Sequence, residues 1–141
     1  MKQAINIKAI FWGFVTDNVT TLAVGAITGL TLAIFRPMRN VSPERMKALT
    51  ENPSILLLAI IVSSIGTIIG GLVAGRIAKD SPILHGGIVG SLCLILAPLL
   101  WSSHPLWYNM VGVIATIPLG ILGGYIAKKN SKQTAVQDPE N

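Results

Sequence analysis

The sequence predicts an all-α fold: an integral membrane bundle of four transmembrane helices, arranged as two tandem helical hairpins. Three observations carry that expectation. Only 12% of the 141 residues are charged, against roughly a quarter in a soluble domain. Hydrophobic residues make up 51% of the chain, and the mean hydropathy is +0.63. Four separate stretches are apolar on every side, and each approaches the roughly 20 helical residues that a hydrocarbon core of about 30 Å requires. This composition excludes a disordered chain and argues against a soluble globular enzyme. The pI is 9.7 and the net charge +5, but the 11 Lys and Arg residues are spread along apolar sequence and make no basic face, so no nucleic-acid partner is expected.

The first span runs from about Ala9 to Phe35 and ends at Arg36-Pro37, where proline cannot continue the helix. Its apolar run from Ala9 to Val15 is broken by Asp17-Asn18, which argues against a cleaved signal peptide. The connection from Arg36 to Pro53 contains Ser42-Pro43-Glu44 ahead of Met46 and Leu49, the pattern of one or two helical turns lying along the interface. Asn52-Pro53-Ser54 opens the second span, about Ser54 to Ala78. Lys79-Asp80-Ser81-Pro82 makes a tight connection, with Ser81 as N-cap and Pro82 in the first helical position. The third span follows from about Pro82 to Trp101, and Ser102-Ser103-His104-Pro105 leads into the fourth, about Leu106 to Ala127. Pro118 is expected to kink that last helix. Residues 1–132 thus read as one transmembrane domain, and 133–141 as a disordered polar tail.

Aromatic residues gather where the spans meet water. Trp12 and Tyr125 lie at one end, and Phe35, Trp101, Trp107 and Tyr108 at the other. Lys2, Lys8, Arg76, Lys79, Lys128, Lys129 and Lys132 share one side, against Arg36, Arg39, Arg45 and Lys47 on the other. The positive-inside rule then places both termini in the cytoplasm of a bacterial cell, with the chain as a multi-pass protein of the inner membrane.

Two patterns bear on assembly. At an offset of 49 residues, the end of the second span matches the end of the fourth: Thr67-Ile68 with Thr116-Ile117, Gly71 and Gly75 with Gly120 and Gly124, Ile77-Ala78-Lys79 with Ile126-Ala127-Lys128. This reads as a parallel repeat, or as two glycine-rich helices that end alike. Small residues also recur every four positions, on one helix face. The rows include Gly25 and Gly29 in the first span, Gly66 with Gly70 and Gly71 with Gly75 in the second, Gly86 with Gly90 in the third, and Gly112, Gly120 and Gly124 in the fourth. Such ridges let backbones approach closely in lipid, where no hydrophobic drive joins helices. A bundle that associates with further copies, or with other membrane proteins, is expected.

Few residues offer chemistry. Asp17 is a carboxylate within a span, where such groups usually face the bundle and have a partner. Arg76, near the end of the neighbouring antiparallel helix, is the expected ion-pair partner. That pair reads either as a structural pin or as part of a protonatable site. Arg76, Lys79 and His85 together form a candidate contact for anionic lipid head groups. Cys93 lies about 12 Å from His85 along the helix, too far for a dyad, and reads as an inert buried thiol. No metal cluster, cofactor motif, phosphate loop or nucleophile–base pair is present in the sequence pattern, so no cofactor and no enzymatic activity is expected. The expected role is that of a structural or accessory membrane component; the alternative is a small proton- or cation-coupled transporter using Asp17.

The stretch from Gly70-Gly71 through Gly75-Arg76-Ile77-Ala78-Lys79, followed by His85-Gly86, resembles a junction in small uncharacterised bacterial membrane proteins with four spans. That resemblance implies the same four-span fold and brings no activity with it. An acidic residue in the first span of a short four-helix protein is also similar to the small multidrug resistance transporters, which implies proton and cation binding at Asp17. Here the acid is aspartate, the first connection is longer, and the aromatic residues lie at the interfaces.

Overall fold

A computed structural model of the chain describes residues 5–35, 42, 44, 47–48, 51–96 and 105–137. These form α1 (Ile7–Phe35), α2 (Pro53–Ala78), α3 (Pro82–Leu96) and α4 (Leu106–Gln137), with no strand among the described residues. Three of the helices, α1, α2 and α4, are long and apolar enough to cross a membrane, and the protein is a multi-pass helical membrane protein. At 15 residues, α3 spans only about 22 Å by helix rise. The expected end of the third span, residues 97–101, lies outside the described residues, as does His104.

Local sequence explains where the helices start and stop. Asn52 is extended, and its side-chain oxygen accepts from the backbone N–H of Ser54 at 2.9 Å and of Ile55 at 3.4 Å, while Pro53 fills the first helical position. An N-cap of this kind contributes about 1 kcal/mol. Asn52→Ala is therefore expected to lower unfolding stability by about that amount, measured by equilibrium unfolding in bicelles. Between α2 and α3 the chain turns through Lys79, whose φ of 50° lies on the left-handed side, and the Asp80 N–H bonds back to the Ala78 carbonyl. At the start of α4, the Pro105 carbonyl accepts from the N–H groups of Tyr108 and Asn109 at 3.1 and 3.3 Å. Glu44, Lys47 and Ala48 are helical in the connection before α2, where the Lys47–Glu51 ion pair spans 3.9 Å on the surface. The Ser42 hydroxyl holds the Glu44 carboxyl below the usual carboxylate range.

One boundary differs from expectation. The last helix does not stop near Ala127 but runs on to Gln137 through Pro118. Lys, Gln, Ala and Ser between 128 and 137 are compatible with helix, and no glycine or proline interrupts them until Pro139. Residues 133–137, expected to be disordered, are therefore helical.

The packing places α2 at the centre. It lies against α1, α3 and α4; α3 also lies against α4, and α1 touches α3. Among the described residues, α1 and α4 do not touch. The two antiparallel pairs, α1 with α2 and α3 with α4, are joined by the parallel pair α2 and α4. In that pair the glycines related by the 49-residue offset meet: a Cβ on Gly71 would overlap the Gly120 carbonyl, and one on Gly75 would stand 3.2 Å from the Gly124 Cα. On the other side of α4, a Cβ on Gly86 would overlap the Gly120 carbonyl, and one on Gly90 would come within 2.6 Å of the Thr116 carbonyl.

Three of the expected packing glycines are elsewhere. Gly25, Gly29 and Gly112 have nothing within 4 Å of where a Cβ would stand. Gly112 lines a cavity beside Asp17, although Gly120 and Gly124 in the same row are tightly packed. Two close approaches were not anticipated. A Cβ on Gly13 would meet the Gly70 carbonyl at 2.8 Å, and one on Gly123 would meet the Leu72 nitrogen at 2.7 Å.

Candidate functional site

Asp17 is the centre of the site. It lies ten residues into α1; Thr67 lies eleven residues before the end of α2, and Cys93 eleven residues into α3. By helix rise all three reach the same depth, about 15–17 Å from the end of the bundle where α1 begins. Glycines let the backbones come close enough for these side chains to meet. A Cβ on Gly70 would lie 2.7 Å from the Asp17 Cβ, and one on Gly66 would lie 3.1 Å from Asp17 Oδ1.

The carboxylate is 5% exposed and surrounded by donors. Oδ1 accepts from Thr67 Oγ1 at 3.3 Å and Thr21 Oγ1 at 3.4 Å, and Oδ2 accepts from Cys93 Sγ at 2.8 Å. Each of these donors is neutral. The expected ion pair with Arg76 is not formed: Arg76 is exposed, and none of Asp17's hydrogen bonds goes to it. The reason is register. Asp17 meets α2 at Thr67, nine residues before Arg76, which is about 13 Å along the axis and more than two helical turns.

Between α1 and α4, a cavity of about 340 Å³ opens beside this carboxylate. Phe14, Asp17, Asn18 and Thr21 line it from α1, Ser63, Ser64 and Thr67 from α2, and Cys93 from α3. The far wall is α4, with Tyr108, Asn109 and Thr116. Asp17 is the one acid among these residues, and among the described residues no Lys or Arg lines the cavity. Several hydroxyls are already committed to backbone: Ser63 and Ser64 donate to the Ile60 carbonyl, and Thr116 to that of Gly112. Their oxygens keep acceptor capacity for a guest.

The candidate lipid contact separates. Arg76 and Lys79 are exposed, but His85 is 0% exposed. Its Nε2 accepts from the Asn6 backbone N–H at 2.9 Å, and its Nδ1 lies 2.9 Å from the Ser81 carbonyl. With both ring nitrogens engaged inside the bundle, His85 does not reach head groups. Among the described residues, no cluster of three or more His, Cys, Asp or Glu is arranged to hold a metal ion.

Sequence reasoning placed Asp17 against other helices but missed the cavity and the role of Cys93. Counting depth for Cys93 as well as for Asp17 would have brought the two together.

No protein-family model matches this chain, and no solved structure matches it. Heme A synthase from Beijerinckia indica subsp. indica is 30% identical over 95 residues, covering 64% of this chain and 24% of that protein. The chain thus spans about a quarter of the length of the curated relative it matches. That similarity to an enzyme overturns the expectation that the protein has no enzymatic activity, which rested on the absence of sequence motifs.

Proposed function

We propose that the protein binds a small cationic solute against Asp17 and exchanges it for a proton, as a proton- or cation-coupled transporter. The observation that supports this is a carboxylate at mid-depth with three neutral donors, no cation beside it among the described residues, and at its edge a mostly apolar cavity that also carries hydroxyls and amides. A buried charge without a counter-charge is costly, so the site calls for a positive charge: a proton, or a cation arriving through the cavity. Thr21, Thr67 and Cys93 hold the carboxylate in place while that charge changes. In this reading the chain crosses a bacterial inner membrane four times with both termini cytoplasmic, and copies associate through helix faces rich in small residues. The likeness of the 70–79 and 85–86 junction to small four-span bacterial proteins supports that arrangement.

The test is proton-driven efflux of a cationic dye from reconstituted vesicles. Wild-type protein should move dye when a proton gradient is applied, and Asp17→Asn should not. Equal flux in the two, or none in either, argues against the reading.

The similarity to heme A synthase favours a second reading, in which the same cavity holds the substrate of a membrane enzyme. Cys93 and Tyr108 on its walls would face that substrate, whereas His85 offers no free nitrogen. Titrating purified protein with haem and recording its absorption spectrum separates the readings: a haem spectrum perturbed by the protein, and restored by Cys93→Ala or Tyr108→Phe, supports the second.

A further inference from the structure

We propose that His85 is a proton-sensitive latch tying the first turn of α1 to the start of α3. The hydrogen bonds fix its state. A carbonyl oxygen only accepts, so the Nδ1 that lies 2.9 Å from the Ser81 carbonyl carries the hydrogen. A backbone N–H only donates, so the Nε2 that lies 2.9 Å from the Asn6 nitrogen is bare. The Ser81 hydroxyl, 3.3 Å from Nδ1, sits on the same side of the ring. The imidazole is therefore neutral and in one tautomer.

A second proton has one place to go, Nε2. There it turns the acceptor into a donor aimed at another donor, and the bond to Asn6 is lost. Asn6 is not a passive partner. Its own Oδ1 accepts from the Ala9 N–H at 3.2 Å, so it caps α1, and Ala9 is 0% exposed against the bundle. Releasing Asn6 frees the amino-terminal turn of the helix that carries Asp17. Below the latch, α1 stays seated through Gly13 against Gly70 and Ala74, so the change is confined to the turn above it.

Among the described residues, the charged groups at this end are Lys8 on α1, Arg76 on α2, Lys79 and Asp80 in the turn, and Lys128 and Lys129 on α4, with the Tyr125 phenol also on α4; α3 carries no ionisable group besides His85 and Cys93. All six charged groups are exposed, and none is hydrogen-bonded to the imidazole. The latch thus responds to the proton on His85 itself.

The test uses the full chain in nanodiscs. Amide hydrogen exchange at Asn6, corrected for intrinsic rates, is compared at about pH 8 and about pH 5, alongside nitrogen NMR of the His85 ring. Wild-type protein should show hydrogen on Nδ1 alone at the higher pH, and its Asn6 protection should fall about tenfold at the lower. His85→Gln, which offers a non-titrating acceptor, should lose this pH dependence. Unchanged wild-type protection across the range, or hydrogen on Nε2 at the higher pH, would overturn the proposal; the wild-type measurements decide it even if the variant does not fold.

Discussion

Valine in place of Gly86 is expected to destabilise the bundle by about 3 kcal/mol or more, the upper end of what overpacking costs. A Cβ there would overlap the Gly120 carbonyl and stand 3.0 Å from the Gly124 nitrogen, so the obstacle is backbone on both counts. Backbone cannot rotate away as a side-chain tip can, and α3 would have to back off from α4 along its length. Gly120→Val should behave alike, because its Cβ would overlap the Gly86 carbonyl from the other side. Gly25→Val and Gly29→Val are the matched controls. Both sites are open within 4 Å, and valine is a better helix residue than glycine by a few tenths of a kcal/mol. Steric-trapping measurements of unfolding in bicelles should separate the two groups clearly. Equal tolerance at Gly86 and Gly25 would mean that the helices do not approach as described.

Asp17→Asn is expected to abolish proton-coupled flux while leaving the fold intact. The amide oxygen can still accept from Thr21 and Thr67, and its NH₂ can donate to the Cys93 sulfur, so every neighbour keeps a partner. What disappears is the ability to carry a charge and give it up. Losing a proton-exchanging group typically costs about 10²–10⁴-fold in a rate that depends on it, enough to bring dye efflux down to that of empty vesicles. Unfolding stability should stay within about 1 kcal/mol of wild type. Flux that survives the substitution would remove Asp17 from the mechanism. Loss of the fold together with flux would make the carboxylate structural.

The helical class was legible because lipid leaves a coarse signature, long apolar runs with proline and asparagine at their ends, and Asn52-Pro53 and Ser81-Pro82 marked their boundaries directly. The continuation of α4 beyond Ala127 was not legible, since polar residues such as Lys128 and Gln133 suit a helix in water as well as a loose tail. Spacing of four residues identified small faces but not which faces meet. Gly71 and Gly25 look alike in sequence, yet one abuts Gly120 and the other abuts nothing. Asp17 was legible as a site from its cost in the membrane. Its partners were not, because charge complementarity pointed to Arg76 while helix register delivered Thr67 and Cys93. The cavity lies between α1 and α4, which do not touch among the described residues, and no local pattern encodes that.

Transport through Asp17 requires a water-reachable cavity inside an apolar bundle. Single cysteines in a Cys93→Ala background test it most directly, read by the rate of reaction with a water-soluble maleimide in intact membranes. Ser64→Cys and Thr116→Cys, on the cavity wall, should react readily. Leu22→Cys and Ile114→Cys, each 72% exposed on the outer surface, should stay inert because lipid covers them. Reaction at all four positions would contradict the membrane setting, and silence at Ser64 and Thr116 would contradict the cavity.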